Sequence, residues 1–342
     1  MTRSPLLDTA FGFMPAQIVY TAVELGLADA LADGPRTAGE LAERTGTHAP
    51  SLLRLLRALT VLGAVRQQEP DLFALTDEGR RLRRDVPDSI RGMVGLFCAP
   101  EVWRCWGQLP EAVRTGEYVW EQVTGETTFE YFARNPELSA TFNAAMAEAT
   151  RNVAPALVKA HDFGRYRTIA DLGGGNGTLL AAILSAVPGP KGVLFDLPAA
   201  LEHAGRTLEE AGVADRCEVV AGDFFQAVPE GADAYVIKSV IHDWDDEKAA
   251  ALLRTCRAAM TPAARVLIVE PVLPPLVTPE LHAALMSDVN MLLTTGGRER
   301  TEAEFRDLLA SAGLATVSVS GPLGHAGYRI IEAAPADPAP RP

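Results

Sequence analysis

Cysteine is scarce in this 342-residue chain, and the four present, Cys98, Cys105, Cys217 and Cys256, form no C-x-x-C pair. That spacing excludes a disulfide-stapled scaffold and a thiolate zinc site, and predicts free thiols in a reducing compartment. Basic residues are in deficit: 31 Lys and Arg against 44 Asp and Glu leave a net charge of -13. A field of that sign repels phosphate backbones and anionic headgroups, so neither nucleic acid nor a membrane is an expected partner. No window approaches the roughly 18 uninterrupted apolar residues of a membrane span. The apolar amino-terminal patch is interrupted by Asp8 and Gln17, and no small-residue cleavage site follows it. The expected location is cytoplasmic. What is present is ordinary for a globular protein, with 48% hydrophobic residues, 29 Gly and 24 Pro, and the length suits two domains at roughly 150 residues each.

Up to about residue 160 the pattern is helical. Ile18, Val19, Ala22, Val23, Leu25, Leu27, Ala30 and Leu31 recur three and four apart until Gly34-Pro35 stops them. Thr37-x-x-Glu40 has capping-box spacing and opens a short helix. A second helix puts Leu52, Leu53, Leu55, Leu56, Leu59 and Leu62 on one broad face and ends at Gly63. Val65 and the stretch 73–76 then read as two short strands about a turn at 69–71, completing a winged-helix pattern. This is the best argument for a ligand-responsive DNA-binding regulator, so its charge matters. Between Arg36 and Asp88, nine basic residues minus eight acidic ones give +1, and the leucine-rich second helix carries only Arg54 and Arg57. A DNA reader needs a basic stripe and polar side chains there, so the module reads as a dimerisation element. Aromatic residues gather next, among them Trp103, Trp106, Trp120, Phe129 and Phe142. Each has a core-packing reading, and together they could wall a flat apolar substrate.

After Tyr166 the rhythm becomes strand-helix alternation, with strands expected over 168–172, 192–196, 217–221, 234–239, 265–270, 315–320 and 328–333 and helical patterns between the first five. That order predicts an α/β fold: a Rossmann-like, doubly wound, mainly parallel sheet closed by an antiparallel edge, behind an all-helical winged-helix domain. The expected divisions are 1–160, 161–334 and a frayed, proline-rich tail over 335–342.

The first of these strands runs into Gly173-Gly174-Gly175-Asn176-Gly177, where glycines allow a tight turn and close backbone approach by a ligand. The pyrophosphate fingerprint G-x-G-x-x-G fails, because its last glycine would fall on Thr178 or Leu180. Acids instead mark three successive strand ends: Asp171, Asp196 and Asp223. Asp196 is placed to accept both ribose hydroxyls, Asp223 to accept an adenine amino group, and Phe224 to pack on the ring. A ligand with a ribose, an adenine and a positive centre but no phosphate fits this set, and S-adenosylmethionine has that description.

With Asp171-Leu172-Gly173-Gly174-Gly175-Asn176-Gly177, Phe195-Asp196-Leu197-Pro198, Gly222-Asp223-Phe224-Phe225, His242-Asp243-Trp244 and Gly297-Arg298-Glu299-Arg300-Thr301 in that order, the chain resembles the S-adenosylmethionine-dependent small-molecule O-methyltransferases. That family includes plant caffeate-type and bacterial antibiotic-tailoring enzymes. The resemblance implies cofactor contacts from Gly173, Asp196, Asp223, Phe224 and Lys238, beside Asp171 and Gly175 of the glycine turn. It implies His242 as general base, flanked by Glu270 and Glu299, and a homodimer whose amino-terminal helices interlock. An aromatic hydroxyl is the expected acceptor; some relatives methylate carbon or nitrogen, or use the cofactor without transferring methyl.

The chemistry suits His242, since an imidazole of ordinary pKa near 6.5 can take a phenolic proton as the oxygen attacks. Full transfer from a phenol near 10 would be uphill by about 3.5 units, roughly 5 kcal/mol, so deprotonation is best coupled to attack. A neighbouring carboxylate would hold one tautomer. Glu270 has the rival reading of a solvated strand end, and Glu299 that of a partner for Arg298 or Arg300. Thr301-x-x-Glu304 is a second capping box, while Asp243, Asp245 and Asp246 read as dipole-matching acids at a helix start. No metal is expected, because only His282 is available as a histidine partner on the helix over 280–293. The substrate wall is assigned to Trp103, Phe142, Met146, Asn290 and Met291.

Overall fold

The structure, a computed structural model, describes residues 4–324 and 327–336. The end of the expected frayed tail, 337–342, lies outside the described residues. The chain divides into two compact units, one comprising 1–103 and 140–148, the other 104–139 and 149–342. The cut does not fall at 160, because the helix Pro136–Ala160 contributes to both.

In the first unit, β1 (Arg36–Thr37) leads into α1 (Ala38–Thr45), followed by α2 (Ala49–Val61), β2 (Val65–Glu69) and β3 (Leu72–Leu75). The capping box forms as its spacing predicts: the Glu40 amide donates to Thr37 Oγ1 at 3.2 Å and the Thr37 amide to Glu40 Oε2 at 2.7 Å. Leu52, Leu56 and Leu59 are buried with Leu41 and Phe73, as the leucine face requires. The unit is not purely helical. Its three strands pair in the order β1-β3-β2, and the two-residue β1 is too short for any periodicity to announce. Ahead of it, Pro5–Glu24 is long and apolar enough by length and composition to cross a membrane, with mean hydropathy 1.2 over an 18-residue window. It is two helices, Pro5–Ala10 and Phe13–Glu24, separated at Phe11-Gly12.

The second unit is built on β4 (Thr168–Leu172), α3 (Thr178–Ala186), β5 (Lys191–Asp196), α4 (Ala204–Glu210), β6 (Cys217–Ala221), β7 (Ala234–Lys238), α5 (Asp246–Ala259), β8 (Arg265–Leu273), α6 (His282–Thr294), β9 (Arg300–Thr301), α7 (Glu302–Ser311), β10 (Leu314–Val319) and β11 (Tyr328–Pro335). The strand order is β10-β11-β8-β7-β4-β5-β6, with β9 paired to β8. Strands β8, β7, β4, β5 and β6 are parallel, and β11 and β10 close the sheet antiparallel, as expected. Alternate residues serve opposite faces. Ala170, Leu172, Tyr235, Ile237, Val266 and Ile268 join α5 and α7 in one core. Ile169, Ala234, Val236, Leu267 and Val269 join α3 and α4 in the other. The connection from β6 to β7 departs from the expected alternation, since it holds no helix. A cavity of 540 Å³ opens there, bordered by Phe195, Val220, Gly222, Asp223, Gln226 and Pro229.

Candidate active site

Parallel registry brings the carboxyl ends of five strands to one edge, pairing Leu172 with Phe195 and Ile237, Asp196 with Ala221, and Lys238 with Val269. The glycine turn leaves β4 at this edge. Gly173 has φ +70, and its amide donates to Phe195 O at 2.8 Å. A Cβ at Gly174 would come within 2.4 Å of Leu194 and 2.7 Å of Asp171 Oδ2. The backbone therefore lies directly against the Asp171 carboxylate, which only glycine permits.

The three acids differ in their engagement. Asp196 accepts the Gly175 amide through Oδ2 at 2.8 Å and the Leu197 amide through Oδ1 at 2.7 Å. Burial nevertheless raises its pKa, with those two amides opposing. Asp223 caps its own turn, taking the Phe225 amide at 2.8 Å and Gln226 Nε2 at 3.1 Å. Asp171 is 1% exposed, its Oδ2 has no hydrogen-bond partner, and burial pushes it up to about 7 against the pull of Lys238. Lys238 is pushed down to about 8 by burial, which Asp171 and Glu270 oppose. Its ammonium donates to Ser239 Oγ at 3.0 Å, and that hydroxyl meets Tyr328 Oη at 2.9 Å. Ser239, expected as the last strand residue, instead takes φ +53 and turns the chain out of β7. Such strain in a non-glycine residue is found where a site over-determines the backbone.

The chain then makes a tight 3-10 turn, Ile241–Asp243, which carries His242. Glu270, in β8, lies next to it and is not a solvated strand end. It is 0% exposed, and its Oε1 accepts the amides of Val240, Ile241 and His242 at 3.0, 2.6 and 3.2 Å. His242 Nδ1 meets Glu299 Oε1 at 2.9 Å, and the same oxygen accepts from Ser287 Oγ of α6 at 2.7 Å. Asp288, one residue on, accepts the Glu299 amide at 2.8 Å. Glu299 does not pair with its neighbours: Arg298 takes Glu304, and Arg300 takes Asp246. Burial opposes the imidazolium, but Glu299 and then Glu270 outweigh it and push His242 up to about 10. Burial likewise raises Glu270 itself.

Asp243 departs from the capping assignment. Asp245 is the residue that caps α5, accepting the Lys248 amide at 2.8 Å, whereas Asp243 lies in the 3-10 turn with Oδ1 3.8 Å from His242 Nε2. Burial pushes it up to about 7. Donor atoms of His242, Glu270 and Glu299 all lie within 4.8 Å of one another, a grouping whose two carboxylates favour positive charge on the imidazole.

Ser287, Asn290, Met291 and Thr294 recur three and four apart on α6, so they share a face with the residue that touches Glu299. Asn290 is buried and accepts Trp106 Nε1 at 3.2 Å. Phe224 packs edge-on to Phe225 and Trp244, and Trp244 lies 5.4 Å from Phe129 between ring centroids. The other three wall candidates, Trp103, Phe142 and Met146, belong to the first unit, where Trp103 is 37% exposed.

A strand edge presenting a glycine turn, an unpaired buried carboxylate oxygen and two further acids fits a cationic nucleoside, and a histidine held between glutamates fits deprotonation. Together they define a nucleoside-dependent group-transfer enzyme of the methyltransferase class. Residues 106–315 match the O-methyltransferase domain, and residues 7–85 match the O-methyltransferase dimerisation domain. The chain belongs to the S-adenosylmethionine-dependent O-methyltransferase family. It is 43% identical over 337 residues to O-demethylpuromycin-O-methyltransferase of Streptomyces alboniger, covering 96% of this chain and 88% of that one. It is 41% identical over 308 residues to an 8-amino-8-demethylriboflavin N,N-dimethyltransferase of Streptomyces davaonensis, covering 89% and 88%. The crystal structure of LaPhzM superposes with a TM-score of 0.92 at 41% identity, covering 96% of this chain and 98% of that one. The O-methyltransferase NcsB1 from neocarzinostatin biosynthesis, in complex with S-adenosylmethionine and 2-hydroxy-5-methyl naphthoic acid, superposes with a TM-score of 0.82 at 32% identity, covering 98% and 100%.

Proposed function

We propose that this enzyme methylates a phenolic hydroxyl of an aromatic secondary metabolite, with His242 as general base and S-adenosylmethionine as donor. The observation that carries the reading is the 2.9 Å contact between His242 Nδ1 and Glu299, made at the strand edge that bears the glycine turn. With Nδ1 committed to the carboxylate, Nε2 is the nitrogen left to take the acceptor's proton. Gly173, Gly175, Asp171, Asp196, Asp223, Phe224 and Lys238 would hold the donor: Asp196 at the ribose, Asp223 and Phe224 at the adenine, the remainder around the methionine part. When bound, the sulfonium supplies an electrophilic methyl for in-line attack.

Glu299 and Glu270 raise His242 to about 10, level with a phenol near 10, so the neutral imidazole takes the acceptor's proton without a large mismatch and its population grows as pH rises. Glu270 also fixes the main chain of the turn through three amides, so the base is aimed as well as tuned. Asn290 and Met291 sit one turn of α6 beyond Ser287 and are the acceptor-wall residues proposed for this unit. No resident metal enters this mechanism.

Residues upstream of about 160 carry the proposed homodimer contact and substrate wall, with a winged-helix arrangement serving dimerisation rather than DNA. Leu6 at 82% and Leu7, Phe11, Phe13 and Met14 at about half exposure support that use, because they fall in or beside the dimerisation match. The protein is then a cytoplasmic enzyme without a membrane or nucleic-acid partner. A second reading, transfer to nitrogen, is favoured by the similarity to an aminoriboflavin dimethyltransferase. A panel of phenols and matched aryl amines, scored by mass gain of one methyl, separates the two; activity confined to the amines would overturn the phenolic assignment.

A further inference from the structure

One completely buried charge has no part in this mechanism. Arg300 is 0% exposed. Its Nη1 donates to Ile241 O at 3.2 Å and Arg298 O at 3.4 Å. Its Nη2 donates to Trp244 O at 2.8 Å and Asp246 Oδ1 at 2.7 Å, and Nε reaches the same Asp246 oxygen at 2.9 Å. Every N–H of the guanidinium fork is thereby matched to an acceptor. The acceptors in the main chain bracket His242, with Ile241 before it and Trp244 after it. The ion pair with Asp246 does not by itself explain the arrangement, since three of the five donors go to main-chain carbonyls.

Neighbouring residues grip the same turn. The Arg298 amide donates to His242 O at 2.9 Å, and Gly297 lies so close that a Cβ there would meet that oxygen at 1.9 Å. Arg300 itself pairs with Val272 in β8, two residues beyond Glu270. One short segment therefore delivers Glu299 to Nδ1 and holds the backbone on either side of the imidazole, while anchored to the strand that carries the second glutamate.

We propose that Arg300 is a positioning residue of the methyl transfer: by holding the carbonyls that flank His242 in register with Glu299, it sets the aim of Nε2 at the acceptor oxygen. The proposal rests on His242 being the base. Its test uses Arg300→Lys and Arg300→Met in the full-length enzyme, alone and combined with Glu299→Ala, which removes the acceptor of the Nδ1 hydrogen bond. Thermal melting, calorimetry with S-adenosylmethionine, and kcat and KM across pH are measured for each. Folded Arg300→Lys should keep donor affinity and acceptor KM within about threefold while kcat drops about tenfold or more, the scale expected of a small misplacement. Arg300→Met should drop further, so that lysine recovers part of the loss.

The decisive readout is coupling. In the Glu299→Ala background the Arg300→Lys loss should shrink to below about threefold, because the imidazole contact through which Arg300 acts is then absent. An equal fold-loss in both backgrounds marks a merely structural brace and overturns the proposal. So does a kcat close to wild type, or a fall in donor affinity as large as the fall in kcat. Asp246→Asn, a milder release of the guanidinium, gives the same readout if the arginine variants do not fold: a kcat loss that disappears when Glu299→Ala is also present supports the proposal, and no loss or an additive one rejects it. A His242→Gln enzyme with wild-type turnover would instead remove the base reading itself, and is distinguishable from all of these.

Discussion

Glu299→Gln isolates the electrostatic part of the catalytic contact, because glutamine keeps the shape of the side chain and can still accept a hydrogen bond from Nδ1. What disappears is a negative charge 2.9 Å from the imidazole, the largest of the attractions that hold His242 above its ordinary pKa. A hydrogen bond to a charged partner contributes about 1.5–3 kcal/mol, equivalent to roughly one to two pKa units at 1.36 kcal/mol per unit. The sign follows directly. A base with a raised pKa is neutral only at alkaline pH, so the wild-type acid limb of kcat/KM lies above 6.5. Removing Glu299 lets that limb slide toward lower pH by about one to two units. With the proton about half transferred in the transition state, roughly half of the lost interaction appears in the barrier, and plateau kcat falls about 3- to 13-fold. Rates from pH 5 to 11 at saturating donor over a range of acceptor concentrations, with the imidazole signal followed by NMR, give both quantities. A limb that stays in place or moves to higher pH would refute the role given to Glu299.

Two further outcomes come from the same geometry. Gly297→Ala puts a methyl 1.9 Å from His242 O and 2.7 Å from the Trp244 nitrogen; the overpacking costs about 1–3 kcal/mol, so melting falls by several degrees and turnover falls with it, and an unchanged melting temperature with full activity counts against the close approach. A bound sulfonium cation disfavours a second positive charge on His242, so donor binding is expected to release protons and to tighten as pH rises; calorimetry in buffers of different ionisation enthalpy reads this, and proton uptake on binding would contradict it.

Features fixed by local chemistry were legible from the sequence. Thr37-x-x-Glu40 and Thr301-x-x-Glu304 close as capping boxes, and the apolar runs of β7 and β8 are buried along most of their length, as central parallel strands must be. The edge strand β6 is mostly half-buried or exposed. Long-range pairings were not legible in the same way. His242 and Glu299 are 57 residues apart, and the resemblance rather than any periodicity brought them together. Asp243 was misassigned because three acids ahead of an apolar helix all look like caps, and only the 3-10 turn decides that Asp245 is the one. Arg300 carried no signal: a two-residue strand has no period, and a charged residue in a charged motif reads as exposed until the carbonyls around it are seen. Ser239 escaped for a related reason, since a positive φ at a non-glycine residue is imposed by its surroundings and not by its own preferences.

The account divides labour between a donor crevice and a base, and a single-turnover comparison tests that division most directly. His242→Gln and Asp196→Asn are each mixed with S-adenosylmethionine and a confirmed acceptor, and donor binding and methylated product are measured on the same samples. His242→Gln should bind the donor like wild type and form product at least about a hundredfold more slowly, whereas Asp196→Asn should lose most of its donor affinity and approach wild-type turnover once saturated. Equal loss of binding in both variants, or full-speed product formation by His242→Gln, would contradict it.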